Sequence, residues 1–191
     1  AYPHVTAGPG MVQMSASTRA EASTAISQLQ SGGGTAIGTW LDLAGQLFTS
    51  VPEVTQRHAI LLTDGENNEP RDVLNAAIRR ASGLFQCDCR GVGVEWKVSE
   101  IRRIAEALLG SVDIIPNPAE MAAQFQAMMR AAMSRGVSDA QLRVWAPQGA
   151  QVQFVRQVSP TVEDLTTRRT PVNDLTGDYP TGAWADESRD Y

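Results

Sequence analysis

The sequence is poor in lysine, and this shortage excludes two classes of partner. Lys97 is the only lysine, and 21 acidic residues outnumber 16 basic ones, which gives a net charge of −5 and a pI near 5.0. With this negative net charge and no polybasic patch of lysines, nucleic acid and anionic membrane surfaces are not expected as partners. The apolar runs also stay well below the ~20 residues that span a bilayer. We therefore expect neither a nucleic-acid-binding nor a membrane protein.

Two cysteines and two histidines do not form a convincing zinc site in this sequence. Cys87 and Cys89 lie in a predicted strand over 84–90, where alternation points both thiols to the same face. His4 and His58 are far from them in sequence, and a structural zinc site needs about four ligands. We expect buried, reduced thiols, with a redox pair as the alternative. Reduced cysteine is more typical of a cytoplasmic protein than of a secreted one.

A short apolar run, Ala59 to Leu62, predicts a strand that is buried on both faces of a parallel sheet. Asp64 follows it directly, so its carboxylate is expected at the C-terminal edge of the sheet, where open α/β sheets bind ligands. Gly65 then permits a sharp turn. Asp-Gly alone could simply begin a turn. However, the upstream loop from Ser31 to Thr35 also brings a hydroxyl to the start of a helix, and the two loops together predict a site.

Helical spacing of apolar residues predicts helices that alternate with strands at 59–62, 84–90 and 112–115. The predicted helix starts are Thr18 (a capping box with Glu21), Thr35, Pro70, Ser99 and Asn117. Among the predicted inward residues are Ile26, Leu29, Val73, Leu74, Ile101, Ile104, Met121, Phe125, Met128 and Met129, the methionines being read as core filler. Three glycines, 32–34, are predicted to end the first helix. This alternation predicts an α/β fold with a doubly wound, mostly parallel sheet.

The pattern changes from Leu142 onward. Apolar and polar residues alternate, prolines and Gly149 interrupt them, and no helical spacing follows. This predicts antiparallel β structure. We therefore divide the chain into an α/β domain over 1–137 and a β-rich C-terminal module over 138–191, which is either separate or an extension packed on the first.

Three segments together resemble the von Willebrand factor type A domain. They are Gly33-Gly-Thr35, Ile60-Leu-Leu-Thr-Asp-Gly65, and Gly91-Val-Gly93 followed by Ser99-Glu-Ile-Arg-Arg-Ile-Ala105. The resemblance covers roughly residues 15 to 135. The tail, with its Val158-Ser-Pro-Thr and Asp178-Tyr-Pro-Thr-Gly segments, is similar to the β-rich segment that follows this domain in some bacterial cytoplasmic members.

The resemblance implies a metal-ion-dependent adhesion site at the sheet edge, in which three loops converge on one divalent cation. Thr35 and Asp64 stand where the family has its threonine and its aspartate. The implied ion is Mg²⁺, with Mn²⁺ or Ca²⁺ as alternatives, because these hard ions prefer oxygen ligands. An Asp or Glu carboxylate from a partner protein would complete the site without covalent chemistry. Glu66, Asn67 and Asn68 would form a rim that influences partner choice, and a solvated loop is their alternative.

The sequence departs from the family in one respect, since it contains no Asp-x-Ser-x-Ser. The nearest segment, Gln13-Met-Ser15-Ala-Ser17, has glutamine in place of the acid, and we interpret Ser15 and Ser17 as helix caps. We expect the first strand and its serines to lie in a part of a longer parent protein. Without that loop, Thr35 and Asp64 would hold magnesium weakly. In that case Thr35 serves only as an N-cap and Asp64 only as a turn residue.

Two other functional classes remain as alternatives. The glycine-rich segment 32–38 precedes a helix and could cradle a phosphate, as in a Rossmann-like enzyme. It matches neither G-x-G-x-x-G nor G-x-x-x-x-G-K-[ST], and no catalytic set of serine, histidine and aspartate stands out. The second class is an accessory subunit of an ATPase or another multi-protein machine. We favour metal-dependent protein–protein interaction without catalysis.

Overall fold

The computed structural model describes residues 10–30, 32–93 and 95–191. His4, Ser31 and Val94, which enter the sequence-based interpretation, lie outside these ranges. The described chain forms two compact units, one running through Val54 and including Asn67–Leu84, the other comprising Thr55–Glu66 and Phe85–Tyr191. The predicted division at residue 137 stays a prediction. Within the described ranges, no helix has the length and apolar character needed to cross a membrane.

The first unit contains three helices: α1 (Ala16–Ser27), α2 (Ile37–Thr49) and α3 (Arg71–Ala81). Helices α2 and α3 pack against each other through buried apolar residues at helical spacing. These residues are Ile37, Leu41 and Phe48 on α2, and Leu74, Ala77, Ile78 and Ala81 on α3. A glycine makes the close approach possible, because a Cβ atom at Gly38 would lie only 3.4 Å from the Cα atom of Leu74. Val73, predicted to face inward, is 40% exposed.

The start, end and apolar face predicted for α1 are wrong. Ser15 is the N-cap: its hydroxyl accepts from the Thr18 amide (3.2 Å), and the Thr18 hydroxyl accepts from the Ser15 amide (2.8 Å). The capping box therefore begins three residues before the predicted one, in line with the cap role expected for Ser15. The helix ends at Ser27, before the glycines, and Ile26 is 66% exposed while Leu29 is 52% exposed. Most of the side chains of α1 are small or polar, so they form no apolar stripe.

The second unit contains the parallel sheet that the sequence predicts. Its strands are β1 (His58–Thr63), β2 (Gln86–Val92) and β3 (Val112–Ile115), in the order β1-β2-β3. Helix α4 (Val98–Ala107) lies between β2 and β3 in the chain, and helix α5 (Met121–Met133) follows β3. Ala59 pairs with Cys87, and Cys89 pairs with Val112. A 3₁₀ turn, Pro118–Glu120, leads into α5. The α/β character of the chain is thus confirmed.

Helix α4 covers β2 and β3 with the apolar side chains that its spacing predicts. Ile101, Ile104, Ala105 and Leu108 are all at most 1% exposed. The helix starts after Lys97, so the prediction that Ser99 is its cap is wrong. Strand β1 is less covered than predicted: only Leu61 and Thr63 are buried. Most of the contacts of α4 are made with β2, so β1 gains little cover from this helix.

Helix α5 does not bury the residues that were interpreted as core. Met121, Phe125 and Met129 are 37%, 39% and 38% exposed, and the described helix has no buried residue. The helical spacing was predicted correctly, but periodicity shows only that these side chains share a face. Whether that face is covered depends on elements that are distant in sequence.

The β-rich extension predicted after residue 137 is confirmed. It has a sheet of β4 (Val137–Trp145), β7 (Thr170–Asn173) and β8 (Thr176–Trp184) in the order β4-β8-β7, and a small antiparallel pair, β5 (Arg156–Gln157) and β6 (Glu163–Asp164). A second 3₁₀ turn spans Thr166–Arg168. The core of the extension consists of Val155, Leu165 and Tyr179, against which Leu109, Leu142 and Val144 pack. Leu109 follows α4, so the extension shares its core with the α/β part of this unit.

A buried aspartate joins several elements of the second unit. Asp88, on β2, is only 5% exposed. Its Oδ2 lies 2.8 Å from His58 Nε2 and accepts a hydrogen bond from Arg135 (3.2 Å). Its Oδ1 accepts from the amide (2.7 Å) and the hydroxyl (2.9 Å) of Ser111. The Ser111 hydroxyl bonds to Asp88 and not to His58, so these residues do not form a nucleophile–base pair and are a structural network.

Replacing Asp88 by asparagine is expected to lower the free energy of unfolding at pH 7 by about 3 kcal/mol, because the partly buried Arg135 and His58 lose their charged acceptor. Burial alone raises the pKa of Asp88, but hydrogen bonds from His58 and Ser111 and the charge of Arg135 outweigh it and hold this pKa well below its usual range. The stabilisation is therefore present above the unfolded-state pKa of about 4 and is lost as the pH falls below it. Urea unfolding at pH 7 and pH 3 should show the difference from wild type shrinking at pH 3.

The matched control is Asp42→Asn, which breaks the surface pair between Asp42 and Arg80. The Arg80 side chain is 57% exposed, so solvent replaces the lost contact and the effect should be much smaller. Equal losses for the two variants at pH 7 would show that the Asp88 network does not stabilise the unit.

Candidate functional site

Asp64 lies at the carboxyl end of β1, at the position expected from the sequence. The turn that presents it is held by Thr63, whose hydroxyl donates to the carbonyl oxygen of Gly65 (2.9 Å) and accepts from its amide (3.4 Å). Thr63 is only 4% exposed, whereas Asp64 is exposed. The Asp64 carboxylate accepts no hydrogen bond from another described residue. Its oxygens are therefore not engaged by neighbouring residues, and Asp64 stays a candidate metal ligand.

Thr35 lies in the loop that precedes α2, and the prediction that it caps this helix is wrong. The N-cap residue is Ala36, which has no side chain able to accept a hydrogen bond. The backbone of Thr35 is fixed on both sides by Asn68: the Thr35 amide donates to Asn68 Oδ1 (2.7 Å), and the Asn68 amide donates to the Thr35 carbonyl (2.7 Å). To the other described residues the Thr35 hydroxyl makes no hydrogen bond. The backbone of Thr35 is therefore held in place, while its hydroxyl is not used as a helix cap.

The cap of α2 comes from a loop about thirty residues later in the chain. Asn67 Oδ1 accepts from the Ile37 amide (3.1 Å), and Glu69 accepts from the amides of Gly38 (2.5 Å) and Thr39 (3.2 Å). The Thr39 hydroxyl also donates to Glu69 (2.6 Å). The first N–H groups of a helix have no partner within it, and they favour a negative charge nearby. The Glu69 carboxylate satisfies both requirements.

Of the three predicted rim residues, two already have partners in the first unit. Asn67 caps α2 and also donates to the Glu69 carbonyl (3.2 Å), while Asn68 fixes Thr35. Their side-chain oxygens are therefore engaged, although Asn68 is exposed at the surface. In the second unit, Glu66 forms a salt bridge of 2.7 Å with Lys97, and the Glu66 side chain is 51% exposed. The hydrogen bond and charge of Glu66 raise the pKa of Lys97. A role of these three residues in partner choice stays a prediction.

Sequence reasoning missed Glu69 and Lys97. Glu69 precedes Pro70 and the start of α3, so a local interpretation assigns it to that helix and not to α2. Gly38 carried the available signal, because a Cβ atom at this position would lie 2.7 Å from the Glu69 carboxylate. A glycine in the first turn of a helix can mark such a close approach of another segment. Nothing in the sequence connects Lys97 with Glu66, which lie in different loops.

The two thiols are free and buried, as expected. Cys87 and Cys89 are at most 1% exposed, and each sulfur lies 3.9 Å from a backbone carbonyl that accepts from it. The hydrogen bond with Cys87, together with burial, raises the pKa of the Cys89 thiol far above its ordinary range. A thiol that does not ionise is a poor nucleophile and a poor metal ligand. The Cys89 thiol is thus a poor candidate for nucleophilic chemistry or metal binding.

The candidate metal ligands fit a hard cation in kind but not in number. Hydroxyl and carboxylate oxygens, as on Thr35 and Asp64, are the ligands that Mg²⁺ prefers, yet this ion needs six. Among residues 10–30, 32–93 and 95–191, no group of three or more His, Cys, Asp or Glu side chains could hold a metal ion. Water and groups from other molecules or segments would have to supply the remaining positions.

Comparisons with known proteins identify the family of this fold. The family model of the von Willebrand factor type A domain matches residues 4–114. A solved von Willebrand factor type A structure from Catenulispora acidiphila has a TM-score of 0.91 and 46% sequence identity, over 97% of this chain and 44% of that one. An uncharacterized protein of Synechocystis sp. is 32% identical over 149 residues, which are 75% of this chain and 36% of that protein. The chain thus spans less than half the length of either bacterial relative.

We expect Glu69→Ala to lower the free energy of unfolding by about 1–2 kcal/mol, the usual cost of losing a helix cap. The effect should be local, because the amides of Gly38 and Thr39 lose their acceptor. Urea unfolding measures the loss, and hydrogen exchange of these amides should accelerate. The control is Glu66→Ala, which removes an acid of the same loop that contacts only the exposed Lys97 among the described residues. If the two variants exchange these amides equally fast, Glu69 is not the cap.

Proposed function

The chain belongs to the von Willebrand factor type A domain family, and on that premise we propose that it is a metal-dependent protein-interaction module. Members of this family generally act as interaction modules and commonly bind divalent metals. The relatives are longer than this chain, so the activity of the whole protein is part of the proposal. No catalytic step is needed, since binding and release of a partner complete the function.

The proposed ligands are the Thr35 hydroxyl and the Asp64 carboxylate, which bind one Mg²⁺ ion, with Mn²⁺ or Ca²⁺ as substitutes. Two observations support them. Neither group is used in a hydrogen bond to another described residue, and the backbone of each is supported, that of Thr35 by Asn68 and that of Asp64 by the Thr63 turn. Oxygen ligands on well-supported backbone lose little freedom when an ion binds. That these two oxygens share one ion rests on the sequence and on family membership.

The partner is a protein that offers an Asp or Glu carboxylate. One carboxylate and one neutral hydroxyl leave the charge of a divalent ion incompletely compensated, so the ion attracts a further anionic oxygen. The printed sequence contains no Asp-x-Ser-x-Ser loop. Unless other groups contribute ligands, the protein therefore holds the ion weakly. The fewer ligands the protein supplies, the more free energy an incoming carboxylate gains by binding the ion.

Lys97 has a specific role in this proposal. Glu66 follows Asp64 by two residues, and its negative charge would repel an approaching carboxylate. The ammonium of Lys97, 2.7 Å from the Glu66 carboxylate, neutralises that charge. At an exposed position the pair contributes little to stability, so its effect would be on the partner and not on the fold.

The observation that carries the proposal is the exposed Asp64 carboxylate directly after β1, without a hydrogen bond to another described residue. Manganese binding to the natural full-length protein, followed by electron paramagnetic resonance and by calorimetry, tests it. We expect Asp64→Asn to weaken the affinity at least tenfold, because the variant replaces the one anionic ligand. Asp186→Asn, which removes an equal charge from another exposed position, is the control and should bind like wild type.

A second pair of variants tests the hydroxyl. Thr35→Ala should weaken manganese binding, whereas Thr35→Ser keeps the oxygen and should restore most of the affinity. Unchanged binding by Asp64→Asn and Thr35→Ala would remove the assignment of both ligands, whatever the fold.

A further inference from the structure

The second unit contains a cavity that the proposed metal site does not use. Its volume is about 560 Å³, within the range of small-molecule sites. It lies along α4 and the edge strand β3, and the segment Thr161–Val162–Glu163 of the extension forms another wall. Apolar lining comes from Trp96, Val98, Ala105, Val112, Ile114 and Val162. The cavity is thus lined by apolar side chains together with charged ones.

Glu163 is an exceptional residue in this lining. It is only 9% exposed, and its Oε1 atom is fully buried without a hydrogen-bond partner among the described residues. A carboxylate removed from water without a donor is costly, so such groups are normally paired. The adjacent Asp164 shows the contrast, since it is exposed, lies 3.6 Å from Arg156 and accepts from the Thr166 amide (2.9 Å). The buried Oε1 is closed to solvent, so a ligand in the cavity contacts Glu163 through the part of its side chain that lines the cavity.

The charges of the cavity favour a cation. Glu106, Asp113 and Glu163 line it, against the single basic side chain of Arg102. A metal ion is not the expected cation, because no cluster of three metal-ligating side chains occurs among the described residues. An organic cation fits better, since its N–H donors would satisfy Glu163 and its apolar part would pack on the lining. The indole of Trp96 adds an aromatic surface of the kind that attracts ammonium and guanidinium groups.

Pairing of a peptide backbone with β3 is less suitable. The amide of Ile114 already donates to Asp113 Oδ1 at 2.8 Å. A side chain that occupies an amide of an edge strand blunts that edge against strand addition. Recognition in this cavity would therefore depend on a charged group and its apolar stem.

We propose that this cavity binds an organic cation, an ammonium or guanidinium group on a short apolar stem, with Glu163 as the acceptor of its N–H donors. A free amine and the side chain of a lysine or arginine on another protein share this chemistry. The site is independent of Thr35 and Asp64, so it can hold or fail separately from the metal-dependent function.

The test uses n-pentylammonium as the probe and 1-pentanol as its uncharged counterpart. Binding is followed by the indole N–H resonance of Trp96 in two-dimensional NMR and by calorimetry. We expect Glu163→Gln, which keeps the shape and removes the charge, to weaken pentylammonium binding at least tenfold. Asp164→Asn removes the neighbouring acid outside the cavity and should bind like wild type. Pentylammonium binding that is absent in wild type, or equal in wild type and Glu163→Gln, would overturn the proposal.

A blocked lysine, N-acetyl-lysine N-methylamide, separates the two sources of the cation. Affinity equal to or above that of pentylammonium assigns the cavity to a lysine side chain of a partner. Affinity at least tenfold lower assigns it to a free amine. Both results support a cation site and differ only in its natural ligand.

The pH dependence provides a second measurement. Burial raises the pKa of Glu163 to about 7; the charge of Arg168 lowers it, that of Glu106 raises it, and that of Arg189 lowers it. Only the ionised carboxylate attracts a cation by its charge, so pentylammonium affinity should fall about tenfold from pH 8 to pH 6. The fall should be lost in Glu163→Gln and kept in Asp164→Asn. An equal pH dependence in wild type and Glu163→Gln would overturn the role of Glu163.

Discussion

The carboxylate of Glu69 on the first turn of α2 is the interaction on which the loop geometry of the first unit depends. It satisfies amides that Ala36 cannot cap, and it brings the loop at 67–69 against the loop at 35. Asn68 then fixes the backbone of Thr35 on both sides. The Glu69 side chain thus supplies acceptors for the first amides of α2 and also helps to position the hydroxyl of Thr35. A local serine or threonine cap would do only the first.

Local pattern predicted much of the fold, because the signals it uses are local. The strand at 112–115, the buried face of α4 and the β structure after residue 137 follow from periodicity and turn residues alone. The errors share a physical cause. The cover over α5 and β1 and the capping of α2 are decided by elements that are distant in sequence, and no spacing within a helix encodes them. Ile26 and Met129 have the expected spacing but remain exposed.

The residues of the candidate site likewise differ in whether a local sequence signal marks them. Asp64 could be located from sequence, since the end of the apolar run at 59–62 marks the edge of a parallel sheet. Thr35 was found by its glycine-rich loop, but its cap role was inferred from local preference and is wrong. Glu69 was missed because its partners are about thirty residues away, and the glycine at position 38 marks a close approach without naming the residue that makes it. Glu163 looks like any acid in a polar strand, and only the three-dimensional packing reveals that it lacks a donor.

Leu109 connects the α/β part of the second unit with the core of the β-rich extension. It adopts a left-handed backbone conformation (φ 55°), which is costly for a leucine and is maintained only by strong packing. In this conformation its side chain packs on Val155, Leu165 and Tyr179. A residue of the α/β part therefore completes the hydrophobic core of the extension. Removing the extension would therefore expose the side chain of Leu109, which loses its packing partners.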